Sequence, residues 1–412
     1  MNGFQNPVTY TSEILFSLTN EIVFAKHVSR EYDDKFAHKG GQIGDTINIR
    51  RPARFVVSSG QALQPQDYTE TSIPLVINNQ KHIDTTFTSL DLTLKVEDFV
   101  DRVIVPKVKQ LANQVDQDGL QTAAQTIASA VGTPGTSPNN VSFVLDAGRK
   151  LDDFSAPRDG NRFLLFDTGS NASMIGALTG FFNDPRQVSA QYRDAVFADM
   201  SNTLGFKIGM SQNVYRQTMG PRGGAPAVNG AAQGLTAGWS NYGTLVTNGW
   251  TAAVAQRVSP GDIFTIANVN AVNPVTRQST GQPMQFVCLS AQSSDAAGNL
   301  TLQIQPNIIS AGPFQNVTAA PANGALLTFL GNASTAYARN MAWHKDAFTL
   351  GCIDLEDVAQ FGAWGARRQW KGMSVRVVRQ YTIATDTTPA RVDILYGWAV
   401  PYPELATQQI AA

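Results

Sequence analysis

The order of apolar and polar positions divides the chain into stretches of different period. Ser12 to Val28 carries Ile14, Leu15, Leu18, Ile22 and Val23 at helical spacing behind a capping residue at Thr11 or Ser12, which predicts an amphipathic arm helix. Asp45 to Val57 reads as a strand, and Ile73 to Thr88 as two extended segments around the turn signal Asn78-Asn79. The second segment is mostly polar from Gln80 onward, so this hairpin is expected against another chain or in solvent rather than in its own core.

The most regular period follows Pro106, a residue suited to a first helical turn. Ile104, Val108, Leu111 and Val115 form one apolar stripe, and after a longer step Leu120, Ala124, Ile127 and Val131 continue it. Gly119 stands where the first stripe would have run on and predicts the close approach of another backbone. Gln114, Gln117, Gln121 and Gln125 make the opposite face polar and neutral. A helix from Lys107 to Ala128 is about 33 Å long, against a radius of gyration of about 22 Å for a compact globule of this length. Periodicity fits equally a structural spine and an ordinary core helix.

Helices are predicted near Phe143 to Phe154, Ala172 to Leu178 and Pro185 to Ala195, with strands at Arg162 to Phe166 and Gly205 to Gly209. From Pro221 to Asn340 the pattern becomes purely β. Gly261 to Val269, Met284 to Leu289, Leu300 to Ile304 and Leu326 to Leu330 are short apolar or alternating runs between Gly, Pro and Asn turns. Several strands without helices between them point to a small barrel or sandwich. Its opening residues, Arg222 to Gly234, read as a flexible connector. Beyond it, Met373 to Tyr381 and Arg391 to Trp398 alternate as strands, so an α+β host is split by an inserted β module.

Composition sharpens that boundary. Charged residues are 15% of the 412, against the roughly 25% usual in soluble domains. The deficit is local: residues 221–340 hold only Arg222, Arg257, Asp262, Arg277, Asp295 and Arg339. A net charge of -1 gives no global field toward nucleic acid or anionic lipid. No run of apolar residues exceeds four, which excludes a helical membrane span, and the first residues lack the basic and apolar regions of an export signal. Cys288 and Cys352 read as free buried thiols.

Candidate chemistry is sparse. Nucleophile elbows, Walker A loops and His-Glu-x-x-His helices are missing. Gly40 to Asp45 reads as a turn, and Asp116-Gln-Asp118-Gly, too short for a calcium loop, as a solvated or cap-like patch. His27, His38, His82 and His344 are scattered, and the acid pairs Asp33-Asp34, Asp152-Asp153 and Glu356-Asp357 read as solvated charges. No catalytic residue, cofactor or metal ligand is therefore expected. Arg50, Arg51 and Arg54 could contact nucleic acid, but with only Phe55 beside them the favoured reading is binding to carboxylates of a neighbouring subunit.

One ordered set of segments carries a resemblance. Asn20-x-x-x-Phe24, Val28-x-Arg30-x-Tyr32-Asp33, Gly44 to Phe55, Leu204 to Ile208, Ala342 to Phe348 and Arg391 to Gly397 are spread around the spine helix and the inserted module. In this order the chain resembles the major capsid proteins of tailed phages of the P22 coat-protein type. That resemblance implies an α+β, HK97-like capsid fold with an N-arm at 1–44, an E-loop at 45–90, and spine helix and peripheral domain at 91–140. It further implies an axial domain at 141–215, an inserted β-barrel at 216–340, and axial and peripheral segments with the C-terminus at 341–412.

It also implies hexamers and pentamers of the chain in an icosahedral virion shell. That shell would be assembled in the bacterial cytoplasm with a scaffolding protein and a portal around double-stranded DNA, without sequence-specific DNA binding or a membrane partner. The glutamine face would then look toward packaged DNA without holding it tightly, since counterion-release affinity needs Lys or Arg. Lys81, in the E-loop, reads as a surface lysine and, with Arg50, Arg51 and Arg54, as a candidate intersubunit contact. Two other classes remain. A tail or adhesin protein with a β domain would predict a repetitive β chain without a long helix, and an enzyme with an accessory barrel would need a convergent catalytic set.

Overall fold

The computed structural model describes residues 22–30, 46–88, 105–178, 202–253, 255–356, 358, 364–370 and 373–412. The arm helix over residues 12–21, the turn at 40–45, Asp33-Asp34, Asp357 and the helix at 185–195 lie outside the described residues. Three α-helices are described: α1 (Val105–Thr126), α2 (Ser142–Asp153) and α3 (Thr168–Leu178). The strands run β1 (Thr46–Arg51), β2 (Thr71–Val76), β3 (Asn79–Thr88), β4 (Ala130–Val131), β5 (Arg162–Phe166), β6 (Asn202–Thr203), β7 (Phe206–Met210), β8 (Arg216–Thr218), β9 (Gly224–Val228) and β10 (Gly243–Trp250). They continue as β11 (Ile263–Val272), β12 (Ser279–Cys288), β13 (Leu300–Gln305), β14 (Leu327–Phe329), β15 (Ala336–His344), β16 (Thr349–Cys352), β17 (Trp364–Trp370), β18 (Met373–Arg379), β19 (Thr387–Ala399) and β20 (Ala406–Ala411). The chain is α+β and rich in sheet. It divides into two compact units, one drawn from Met1–Ile49, Ile73–Gly119 and Phe348–Ala399, the other from Arg50–Ser72, Leu120–Ala347 and Val400–Ala412.

In the first unit a sheet runs β16-β19-β18-β17, with β3 also paired to β19. The pairing is antiparallel over the whole of β3, from Asn79 opposite Tyr396 to Thr88 opposite Thr387. The hairpin expected around Asn78-Asn79 is therefore corrected. Both segments are strands, but β2 pairs with β1 and β3 with β19, so they do not pair with each other. Nor is β2 without a core, because Leu75 and Ile77 are buried with Ile353, Leu355 and Leu395. The polar side chains of β3 misled because ladder bonds come from the backbone, which is indifferent to them. Val108, Leu111 and Val115, the first stripe of α1, are buried as their spacing requires.

In the second unit a seven-stranded sheet runs β4-β20-β15-β5-β7-β6, with β8 beside β15. All of β5 is buried, as expected for the continuous apolar run Phe163-Leu-Leu-Phe. The apolar face of α2, Val144, Ala147 and Leu151, packs against Leu164, Phe166, Phe206 and Ile208 from β5 and β7. Gln408 of β20 donates its Nε2 to the carbonyls of Ala124 at 2.9 Å and Ile127 at 2.7 Å. It thereby satisfies carbonyls that the end of α1 leaves without helical partners.

A second, six-stranded antiparallel sheet in this unit runs β14-β11-β12-β13-β10-β9. Its outer strands meet: Ala227 bridges Leu326, Val228 N donates to Ala325 O at 2.9 Å, and Gly324 N donates to Val228 O at 2.8 Å. Val228, Leu245, Phe264, Phe286, Leu302 and Ile304 fill the interior. The segment read as a flexible connector is corrected in part, because Gly224–Val228 is strand β9, fixed by pairing with β10. The chain leaves the seven-stranded sheet at β8 and returns at β15, where Thr218 pairs with Ala336. Met219 N donates to Thr335 O at 3.0 Å and Ser334 N to Gly220 O at 3.2 Å, so the two crossings lie side by side.

Candidate functional site

Two carboxylates two residues apart on α1 tie other segments of the first unit to that helix. Asp116 is 1% exposed. Its Oδ2 accepts from Val23 N at 2.7 Å and Phe24 N at 3.1 Å, and its Oδ1 accepts from Ala25 N at 2.9 Å. Burial is the largest influence on this carboxyl and pushes it above the ordinary value, while the three N–H groups and Arg30 act the other way. The sequence reading of a solvated patch is thus corrected for Asp116, whose partners are backbone groups more than 90 positions away. The segment so held turns through a 3-10 helix at Ala25–His27, where helical spacing had predicted the end of an arm helix. Phe24 packs beside Phe348 and Trp398, with ring centroids 5.4 Å and 5.3 Å away.

Asp118 ties strands to the same helix. Its Oδ2 accepts from Tyr396 Oη at 2.6 Å and lies 3.2 Å from Lys81 Nζ, and Gln114 Nε2 donates to its Oδ1 at 2.7 Å. Next to Asp118, Gly119 admits the indole of Trp398: a Cβ there would lie 2.5–2.9 Å from three ring atoms. The close approach predicted at Gly119 is real, but a side chain makes it rather than a backbone.

In the second unit the candidate arginines meet a carboxylate of their own chain. Arg51, which is buried, and Arg54 both donate to Glu404 Oε1, Arg54 at 2.9 Å. Arg51 also lies over the Tyr402 ring at 4.8 Å and Arg54 over the Phe314 ring at 5.9 Å. Burial lowers the Arg54 guanidinium from its ordinary value, and Glu404 acts against that shift. Arg50 is 79% exposed and sits 3.4 Å from Glu70. The following segment exposes Phe55, Val57, Leu63 and Tyr68, an apolar surface on a stretch without strand structure.

Sequence reasoning missed the charged root of the six-stranded module. Asp262 has no exposed surface. It accepts from Gly220 N at 3.1 Å and Ser259 N at 3.1 Å, with Arg222 Nη2 3.6 Å from its other oxygen. Arg222 donates to Gly331 O and Leu330 O at 3.0 Å and 3.1 Å, and Arg339, also buried, donates to Gly261 O at 3.2 Å. Arg257 donates to Thr251 O and Arg222 O. Four of the few charges in the window are thus gathered where the chain crosses into the module. The remaining two, Arg277 and Asp295, bond Phe55 O at 2.6 Å and the backbone N–H of Ala297 and Asn299.

The other sequence candidates stay apart. His344 is buried between Asp159, 3.1 Å from its Nε2, and the Asp346 backbone N–H, partners that are a carboxylate and an amide rather than a nucleophile. Asp152 accepts from Arg162 at 2.8 Å and from Arg158. Both cysteines are buried and free. Among the described residues there is no group of three or more His, Cys, Asp or Glu side chains placed to hold a metal ion. Among them, too, no helix is long and apolar enough to cross a membrane. Gln117 is exposed, with Gln114, Gln121 and Gln125 half-buried.

A family model described as P22 coat protein, gene protein 5, matches residues 4–411. Among solved structures, the chain is similar to one of Mycobacterium phage Che8, with 13% identity and a TM-score of 0.49 over 94% of this chain and 90% of that one. A capsid structure of the cyanophage P-SCSP1u gives 11% identity and a TM-score of 0.44 over 90% of this chain and 84% of that one. The CUS-3 coat protein I-domain is 28% identical over 26% of this chain and 96% of its own, with a TM-score of 0.20. A search of curated protein sequences gives no match.

Proposed function

Since the chain belongs to the P22 coat protein family, matched from residue 4 to residue 411, we propose an HK97-like subunit that assembles with copies of itself into an icosahedral shell. The protein is a major capsid protein and forms the shell of a bacteriophage virion; the family is one of structural proteins. The match over nearly the whole chain is the observation that carries this reading.

The finer anatomy is proposed on the same basis. The N-arm takes residues 1–44, the E-loop 45–90, the spine helix and peripheral domain 91–140, the axial domain 141–215 and again part of 341–412, and the inserted barrel 216–340. The barrel reading is supported by the meeting of β9 with β14 and by an interior of its own. The subunit carries no catalytic role. Its partners are neighbouring copies in hexamers and pentamers, a scaffolding protein, a portal and packaged double-stranded DNA held without sequence specificity, with assembly in the host cytoplasm. Arg50 is the arginine best placed for a neighbour's carboxylate, being the most exposed, whereas Arg51, Arg54 and Lys81 would act there through the carboxylates they already hold.

Electron microscopy of the full chain expressed with its scaffold tests this reading. Closed shells or polyheads are expected, and a population of monomers only would refute it. Gln117→Lys with Gln121→Lys should alter DNA content or release, because a cationic face adds phosphate contacts; unchanged packaging and ejection would sink the DNA-facing assignment of α1.

A further inference from the structure

In the second unit a pocket of about 110 Å³ lies beside the Arg51–Arg54–Glu404 cluster. It lies where the six-stranded module, the end of α1 and the segment before β20 come together. Engineered cavities of roughly 150 Å³ take up benzene, so this space is of the order of one aromatic ring. Phe154, Trp239, Met284, Ile309 and Phe314 supply apolar wall.

Its polar lining is not balanced. Arg51 and Arg54 share the single carboxylate of Glu404, which leaves one positive charge in excess at the rim. Gln305, which has no exposed surface, directs Nε2 to Asn241 Oδ1 at 3.2 Å, but its buried Oε1 has no partner among the described residues. A buried amide oxygen without a donor is costly, at roughly 1–3 kcal/mol. Apolar walls with a small number of placed polar groups are the general form of a small-molecule site.

We propose that this pocket binds a small organic anion with an aromatic or similarly compact apolar body, its acid group against Arg54 and its body between Trp239 and Phe314. The site shares Arg51 and Arg54 with the proposed intersubunit contacts, but binding of a small acid by the isolated chain does not depend on that assignment. A carboxylate fits because it would give Arg54 a charge-assisted partner in a desolvated position, where such bonds are strongest.

Titration of the full chain with 4-hydroxyphenylacetate, followed by calorimetry and by ligand-detected NMR, tests the proposal. Saturable binding is expected, about tenfold tighter than for the neutral 4-hydroxyphenylacetamide, because one charge-assisted bond of about 1.4 kcal/mol separates them. Arg54→Ala should abolish that preference. Arg54 is partly exposed and Glu404 keeps Arg51, so an unchanged melting temperature identifies loss of binding as local. Arg54→Lys, which keeps the charge, should restore part of it. Equal binding of acid and amide, binding unaffected by Arg54→Ala, or no saturable binding would overturn the proposal. So would protection of Arg54 from phenylglyoxal that develops only on assembly while no small acid binds, which would assign the pocket to a side chain of a neighbouring copy.

Discussion

Replacing Asp116 tests whether a single carboxylate fastens the segment at Val23–Ala25 to the long helix. In Asp116→Ala, three N–H donors lose their acceptor together, two of them in fully buried bonds. An orphaned buried donor costs about 1–3 kcal/mol. Val23 N is only part-buried and can recover water, and removing a buried carboxylate also removes its own desolvation cost. The balance is a loss of about 2–4 kcal/mol. In Asp116→Asn the amide oxygen can retain Val23 and Phe24 while the amino group faces the Ala25 N–H, so one bond is lost for about 1–2 kcal/mol. Hydrogen exchange at the Phe24 and Ala25 amides should then accelerate by about 30-fold to 1000-fold in the alanine variant, and by about 5-fold to 30-fold in the asparagine variant. Urea unfolding of the full chain should show the same order. Unchanged exchange at these amides in Asp116→Ala would refute the reasoning, because the Asp116 carboxylate is the acceptor to which both amides donate.

Three further perturbations follow from the same geometry. Gly119→Ala gains about 1 kcal/mol of helix propensity but drives a methyl into the Trp398 indole, an overpacking cost of about 1–3 kcal/mol. With three ring atoms inside 3.0 Å the second effect decides, so the melting temperature should fall and tryptophan emission shift, and a higher melting temperature would contradict it. Asp262→Ala leaves Arg222 and Arg339 buried without their carboxylate and should cost about 3–5 kcal/mol in chemical denaturation, while a loss below about 1 kcal/mol would show that the cluster is inert. Hydrogen bonds from Asn161, ahead of His344, hold the Asp159 carboxyl down at about 2. A lowered carboxyl stabilises the fold above its unfolded value near 3.8 and loses that contribution as pH falls toward about 2. The melting-temperature difference between wild type and Asp159→Asn should therefore be present at pH 5 and vanish near pH 2; a difference independent of pH would exclude the linkage.

Elements whose side chains report their own burial could be read from the sequence. The stripe Val108-Leu111-Val115, the run of β5 and the alternation of β11 to β13 each carry their signal in residues that end up inside. Elements defined by a partner could not. Gly224-Ala-Pro-Ala-Val of β9 has little strand propensity and is a strand because β10 lies beside it. In β20, Gln408 and Gln409 are buried, against every expectation for glutamine, because distant carbonyls at Ala124, Ile127 and Phe143 need donors. Asp116 and Asp262 were illegible for the same reason: the groups that justify their burial are backbone N–H groups, which no side-chain pattern encodes. For the arginine cluster the sequence pointed to carboxylates of a neighbouring subunit; the carboxylate of its own chain, Glu404, lies some 350 positions away and could not be inferred.

The paired crossings at β8 and β15 make the module removable in principle. Because Thr218 and Ala336 are already ladder neighbours, a tight turn could join them without moving either strand. Such a shortened chain would keep its seven-stranded sheet but bare Ala128, Ala130 and Tyr337, which Ile263 and Val287 now cover. An ancestor lacking the module would have needed polar residues at those three places. The module's acquisition and the apolar character of that floor are therefore expected to have evolved together, and grafting a foreign barrel onto the same two strands should succeed only when its underside presents matching aliphatic residues.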